Sequence, residues 1–257
     1  MRYGGNTPCV QIVTQSGEML IIDAGYGVVG LGDSIIAASS SDPRTTIHLV
    51  LTHLHWDHIQ GLPFFAPIYV PGNHLVIHSA SVQKAREAMN RLFTSVYSPI
   101  QGVENLGATI EYTCLDSRGF ELGGMQITPI ALRHSVPTLG LKVVANDKVL
   151  FHATDHERGD PEADKRLMHA ATQADLLIHD AQFTSEEYER YRGWGHSHTG
   201  AAVENALAAQ VRQLVLFHYD PTHTDSDVDA QLQHARGLAQ GTGLEVTAAA
   251  EGLALQL

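Results

Sequence analysis

The sequence predicts an α/β (α+β) chain built from two mixed β-sheets packed together, with helices on the outside. Two observations lead there. Strand-like apolar runs alternate with helical stretches, in the order β-meander followed by βα alternation, twice over. The 257 residues are 44% hydrophobic and 17% charged, which suits a large buried core and not a disordered chain. No long linker, low-complexity stretch or obvious repeat interrupts the pattern, so residues 1–257 are expected to form one domain.

The elements follow in order. Residues 9–14 and 19–23 read as two strands joined at Ser16-Gly17, a hairpin. Residues 47–52 (IHLVLT) are mostly apolar and rich in branched side chains, as in a strand buried on both faces. The run 62–70 is too apolar for an exposed loop and is expected to line a pocket or a dimer interface. Residues 81–93 read as a helix with Ser81 as N-cap. A meander occupies residues 109–114, 125–132, 139–145 and 149–153, with Asn146-Asp147 turning the last pair. Residues 161–171 are expected to be helix, 176–179 a buried strand, 199–209 helix, 214–217 strand and 226–239 helix. Residues 244–248 and 253–257 close the chain.

Charge narrows the function classes. There are 16 Lys+Arg against 28 Asp+Glu, a formal net charge of −12. A nucleic-acid polymer is therefore not the expected partner, since phosphate binding needs a positive surface. No apolar run approaches the ~18 residues of a membrane span, and no basic segment leads into an apolar one at the N-terminus. No membrane partner and a cytoplasmic location are expected. Cys9 and Cys114 cannot build a disulfide framework. The unusual count is 16 histidines, several of them clustered.

The strand IHLVLT runs directly into Thr52-His53-Leu54-His55-Trp56-Asp57-His58-Ile59-Gln60-Gly61. Imidazole and carboxylate together suit zinc, manganese or iron better than calcium. This H-x-H-x-D-H spacing resembles the signature of the metallo-β-lactamase superfamily. The segments Tyr3-Gly4-Gly5-Asn6-Thr7, Ile21-Ile22-Asp23-Ala24-Gly25 and Trp194-Gly195-His196-Ser197 are similar to its phosphodiesterase branch, which includes tRNase Z-like proteins and cyclic-phosphate phosphodiesterases. In that branch a further strand and Gly-rich turn precede the YGGNT segment, whereas this chain starts almost at it. The resemblance implies an αββα sandwich with the site at one sheet edge.

It also implies a binuclear site. His134 follows the strand-like run MQITPIAL, Asp155 follows the run ending Phe151-His152-Ala153, and His218 ends Val215-Leu216-Phe217. One divalent ion would be held by His53, His55 and His134, the other by Asp57, His58 and His218, with Asp155 bridging. Asp160 is the rival for the bridge, but it lies in a loop beyond Gly159. Zn2+ is the expected metal, with Mn2+ or Fe2+ as alternatives. Asp23 is expected to orient a ligand imidazole. Asp57 counts both as a ligand and as a catalytic carboxylate.

The implied chemistry is attack of a metal-bridging hydroxide on a phosphodiester. A proton for the leaving alkoxide would come from His196, paired with Asp180 at the end of Leu177-Ile178-His179. Relatives read GHST, whereas this chain reads Gly195-His196-Ser197-His198-Thr199, so His198 is a second candidate. The expected substrate is a small anionic one, a cyclic nucleotide or phosphodiester. In bacterial tRNase Z an RNA-gripping arm lies between the third ligand histidine and the bridging aspartate, and residues 135–154 leave no room for one. Phe64, Phe65, Tyr188, Tyr191 and Trp194 are candidate pocket walls. The alternatives are a hydrolase of a thioester or of a lactam or lactone, and a non-catalytic metal-binding module. His198-Thr199-Gly200 resembles the thioesterase GHTPG signature, but in the wrong order relative to Asp155. Relatives are commonly homodimers, and a homodimer is expected here.

Overall fold

The computed structural model describes residues 2–38 and 45–257. They fall into two compact units, Asn6–Asp116 and Ser117–Leu257, the latter including residues 2–5.

In the unit Asn6–Asp116, the hairpin strands β1 (Val10–Val13) and β2 (Met19–Ile22) are antiparallel. Strands β3 (Thr46–Leu51), β4 (His74–Ser79) and β5 (Thr109–Cys114) extend the sheet in parallel, in the order β1-β2-β3-β4-β5. One face of this sheet, with Ile21, Leu49, Leu51, Leu75 and Ile77, packs with α1 (Val28–Ala38) and α2 (Val82–Leu92) in a single apolar cluster. Ser81 caps α2 by accepting from the Lys84 amide at 3.4 Å. The run 62–70 makes two 3-10 turns, Leu62–Phe64 and Ala66–Tyr69, whose Leu62, Phe65 and Ile68 are buried in that same core, while Phe64 is left exposed.

The unit Ser117–Leu257 carries a sheet in the order β12-β11-β10-β9-β8-β7-β6. Strands β6 (Phe120–Leu122), β7 (Met125–Leu132), β8 (Thr138–Ala145) and β9 (Lys148–Ala153) form the antiparallel meander. Asn146 and Asp147 turn β8 into β9 with φ of 49° and 62°, the signature of a two-residue hairpin turn. Strands β10 (Leu176–Asp180), β11 (Gln213–Phe217) and β12 (Glu245–Ala248) then add in parallel. Three of the intervening helices, α3 (Pro161–Ala171), α5 (Thr199–Ala208) and α6 (Asp225–Leu238), bury alanine-rich faces against Phe151, Leu177, Leu214 and Leu216. Between β10 and α5 lies α4 (Ser185–Tyr191).

Four elements escape the sequence reading. In α1, Gly30 and Gly32 weaken the helical signal, yet Gly32 packs so tightly that a Cβ would come within 2.8 Å of Phe65. The polar stretch of α4 is set by a capping box, in which the Thr184 hydroxyl accepts from the Glu187 amide and Glu187 returns a bond to the Thr184 amide. Strand β4 is hidden by a histidine at its start and another near its end, and β6 is only three residues long. Residues 253–257 have no regular structure. Among the described residues no helix is long and apolar enough to cross a membrane.

Candidate metal centre

The unit Asn6–Asp116 places its candidate ligands immediately after β3. Beyond Leu51 come Thr52 and His53, then a 3-10 turn over Trp56–His58. The turn brings three imidazoles together: the His53 ring lies 4.5 Å from His55 and 4.2 Å from His58, centroid to centroid. His58 Nε2 is 3.4 Å from Asp57 Oδ2. Asp23, directly after β2, organises this group from behind. Its buried carboxylate accepts from the Thr52 amide at 2.8 Å, from the Thr52 hydroxyl, and from His58 Nδ1 at 2.8 Å. That last bond fixes the orientation of the His58 ring and would leave Nε2 to ligate a cation, as an outer carboxylate does for a ligating imidazole. The ligand turn also packs directly on the IIDAG segment: a Cβ on Gly25 would meet the Asp57 carbonyl oxygen at 2.4 Å.

In the other unit, Asp155 follows β9, Asp180 ends β10 and His218 follows β11, so three adjacent parallel strands deliver side chains from their carboxyl ends. His134 arrives two residues after the end of the antiparallel β7. The Asp155 carboxylate splits between two imidazoles: Oδ2 lies 3.5 Å from His134 Nε2 and Oδ1 lies 3.3 Å from His218 Nε2. A carboxylate whose two oxygens face different imidazoles is suited to linking two cations. The Thr154 hydroxyl donates to Asp155 Oδ1 at 2.8 Å and holds it in place. His134 Nδ1 donates to the Gly195 carbonyl at 2.7 Å, which turns Nε2 to the Asp155 side, where it would ligate a cation.

His196 stands between these imidazoles, edge-on to His134 at 4.9 Å and stacked on His218 at 5.1 Å. Its Nδ1 is 2.7 Å from Asp180 Oδ2, and Asp180 is fully buried. Asp180 Oδ1 in turn accepts from the Gln182 and Ser197 amides, each at 3.1 Å. Asp155, Asp180, His196 and His218 each offer a ligand atom within 4.8 Å of the others. His198 is engaged elsewhere. It caps α5 by accepting from the Ala201 amide at 3.3 Å, and burial lowers its pKa. Asp160 likewise serves α3, accepting from the Glu162 and Ala163 amides at 3.0 and 2.8 Å.

The candidate pocket walls divide. Phe65 and Tyr188 are buried. Trp194 is 62% exposed and Phe64 is 57% exposed. Trp194 rests edge-on against Tyr191, which stacks on the buried Phe183 at 4.9 Å.

Two residues had no part in the sequence reading of the site. Glu157 is buried and accepts from the Gly193 and Gly195 amides and from the Tyr188 hydroxyl. His156 is pushed down to about 3 by burial, with His179 adding to the effect, and stays neutral. Its Nδ1 accepts from the Arg133 amide at 3.3 Å. Their only sequence signal is position, immediately after Asp155.

Comparison with known proteins bears on both units. The family described as Beta-lactamase superfamily domain matches residues 19–219. A ribonuclease Z of Lactococcus lactis subsp. cremoris (strain SK11) is 23% identical over 291 aligned residues, covering 91% of this chain and 89% of its own length. Among solved structures, the metallo-β-lactamase fold protein YhfI from Bacillus subtilis aligns with a TM-score of 0.70 at 18% identity, over 99% of this chain and 96% of its own. A diphosphatase from the PhnP family aligns with a TM-score of 0.67 at 17% identity, over 98% and 84%. These structural likenesses show the fold.

Proposed function

The chain belongs to the beta-lactamase superfamily as a metal-dependent hydrolase, and from that premise we propose that it hydrolyses phosphodiester bonds in small molecules, a cyclic nucleotide or cyclic phosphate above all. The observation that carries the reading is the juxtaposition, within one unit, of a carboxylate shared by two imidazoles and a His196–Asp180 pair at 2.7 Å. It combines a metal anchor with a proton donor. In the proposal the 257 residues act as one hydrolase domain. The ligand grouping follows the family resemblance: His53, His55 and His134 for one ion, Asp57, His58 and His218 for the other, and Asp155 for both. The donor set fits hard-to-borderline divalent cations, with zinc first and manganese or iron as alternatives.

When bound, such a pair of cations neutralises phosphate charge and lowers the pKa of water towards neutrality. The chain's own residues do the rest. Asp23 keeps His58 Nδ1 occupied, and Gly195 does the same for His134, so each ring presents Nε2. Asp180 holds the His196 Nδ1–H, which fixes the ring's tautomer and orientation and aims Nε2 at the leaving oxygen. General acid catalysis of this kind is worth ~10²–10⁴ in rate. Trp194, exposed two residues before His196, offers an aromatic face for a base.

The similarity to ribonuclease Z supports RNA as a second reading. Two features of this chain favour the small substrate. Residues 135–154 are used up by β8, the Asn146-Asp147 turn and β9. The net charge of −12 opposes the phosphate neutralisation on which RNA affinity depends. Purified protein loaded with zinc or manganese should turn over cyclic mononucleotides or a chromogenic phosphodiester. Efficient 3′ trimming of a precursor tRNA with no turnover of small diesters would overturn the proposal, as would turnover of thioesters or lactones alone.

A further inference from the structure

We infer that Glu157 is a positioning residue: through the loop of residues 193–197 its carboxylate sets both the metal-facing imidazole of His134 and the proton-donating imidazole of His196. The inference rests on the roles just proposed for those two histidines. Glu157 is 2% exposed, and its two oxygens take three neutral donors. Oε1 accepts from the Gly193 amide at 2.6 Å and the Tyr188 hydroxyl at 3.0 Å, and Oε2 accepts from the Gly195 amide at 3.0 Å. Burying a carboxylate is costly unless its lone pairs are filled, and charge-assisted bonds of this length are the strong kind.

The loop it holds could not take this shape otherwise. Gly193 and Gly195 both have φ of +91°, a left-handed conformation that turns both amides towards the same carboxylate. A Cβ on Gly195 would meet His134 Nδ1 at 2.2 Å, so the backbone approaches the ring as closely as only glycine permits. The peptide chain then relays the constraint. The Gly195 amide is tied to Glu157, and its carbonyl accepts from His134 Nδ1 at 2.7 Å. The next residue is His196, which meets Asp180. Ser197 completes the clamp: its amide donates to Asp180 and its hydroxyl donates to the His156 carbonyl at 2.5 Å. Glu157 also acts from the other side, since its own amide donates to the Arg133 carbonyl at 2.8 Å, next to His134. A single residue thus bounds His134 on both sides, by its carboxylate through Gly195 and by its backbone amide through Arg133, and its side chain sets where His196 begins.

An amide in its place cannot reproduce this. A glutamine has one accepting oxygen, so whichever way it is turned, its NH2 opposes either the Gly193 or the Gly195 N–H. Glu157→Gln therefore keeps the volume and removes the bond pattern.

The test is metal titration of the apo protein, followed by kinetics on a pair of phosphodiesters with a good and a poor leaving group. Glu157→Gln should bind zinc or manganese about 10–100-fold more weakly, as loss of an outer-shell partner does elsewhere. Its kcat on the poor leaving group should fall more than its kcat on the good one, with KM little changed, because misplacing His196 withdraws the proton and not the binding contacts. Unchanged metal affinity and unchanged leaving-group dependence, with only a lower melting temperature, would overturn the inference. If the variant does not fold, the unmodified chain supplies the test. Coupling is reciprocal, so metal binding must slow hydrogen exchange at the Gly193 and Gly195 amides. Equal exchange with and without metal would also overturn it. The titration needs no substrate. Weakened metal binding in a protein that hydrolyses no phosphodiester would therefore sink the proposed function, and with it the His196 arm, and leave the His134 arm of this inference standing.

Discussion

Asp23, Asp155 and His218 all hold left-handed backbone, with φ of 61°, 55° and 61°. For residues with a Cβ this conformation is strained, of order 1–3 kcal/mol each, and persists only where the surroundings enforce it. Asp23 and His218 directly follow a strand and Asp155 comes one residue later, and each turns its side chain into a candidate ligand group. Asp23 is repaid by the Thr52 and His58 bonds, and Asp155 by the Thr154 hydroxyl. The proton donor invites a test at the same scale. His196→Ala should retain its metal yet lose about 10²–10⁴ in kcat on a substrate with a poor leaving group, and much less on a nitrophenyl diester. His198→Ala should cost stability through the lost α5 cap and leave that leaving-group dependence intact. The reverse pattern in steady-state kinetics would exchange the two roles.

At the scale of elements, the parallel strands β9, β10 and β11 end in register, with His179 opposite both Ala153 and Leu216. Adjacent parallel strands ending together bring Asp155, Asp180 and His218 side by side, the arrangement by which open α/β sheets bind ligands outside their carboxyl ends. The sheet must then be rigid. Leu177, the second residue of β10, is fully buried against the helices. Leu177→Ala should destabilise the protein by about 2–5 kcal/mol in urea titration, from lost burial plus a cavity. A shift below about 1 kcal/mol would mean that the strand is not packed as described. A second element-scale prediction concerns β3 and β4, where His48 Nδ1 and His78 Nε2 lie 2.9 Å apart and stacked. Burial, reinforced by the neighbouring His48, pushes His78 down to about 4 from the usual 6.5. The folded state therefore keeps His78 neutral, while the unfolded chain takes up a proton as pH falls through about 6.5. Its contribution to stability is complete above that pH and is lost progressively down to about 4. Denaturant midpoints should fall from pH 7 to pH 5, and by less in His78→Gln.

For the whole molecule, the net charge of −12 and the clustering of imidazoles with carboxylates point the same way: cations complete the protein. A ligand that binds only the folded state stabilises it by about 2.7 kcal/mol at a hundredfold excess over Kd. Chelation should therefore lower the melting temperature, and elemental analysis should return close to two transition-metal ions per chain. Asp155→Ala should lose most of them, and full retention in that variant would remove Asp155 from the ligand set. Most of the fold was legible in the sequence because strand and helix periods are local. The strands that carry His53, His134, Asp155 and His218 could be read from apolar runs alone. What was missed, α1 and α4 among the helices and β4 and β6 among the strands, lay where glycine, charge or histidine masked the period. The family could be read because a metal motif demands fixed residue types at fixed spacing, and the segment from Thr52 to Gly61 carries that demand within ten residues. The family resemblance already implied Asp180 beside His196 and Asp23 behind a ligand imidazole; tertiary structure alone decided that Asp23 closes on Thr52 and on His58 in particular, and that Glu157 holds the glycine loop behind His134. These three bonds join residues 29 to 38 positions apart, and two of the three use backbone amides as donors. Every residue but proline carries such an amide, so composition and spacing cannot mark the ones that matter; only the path of the folded chain aims them.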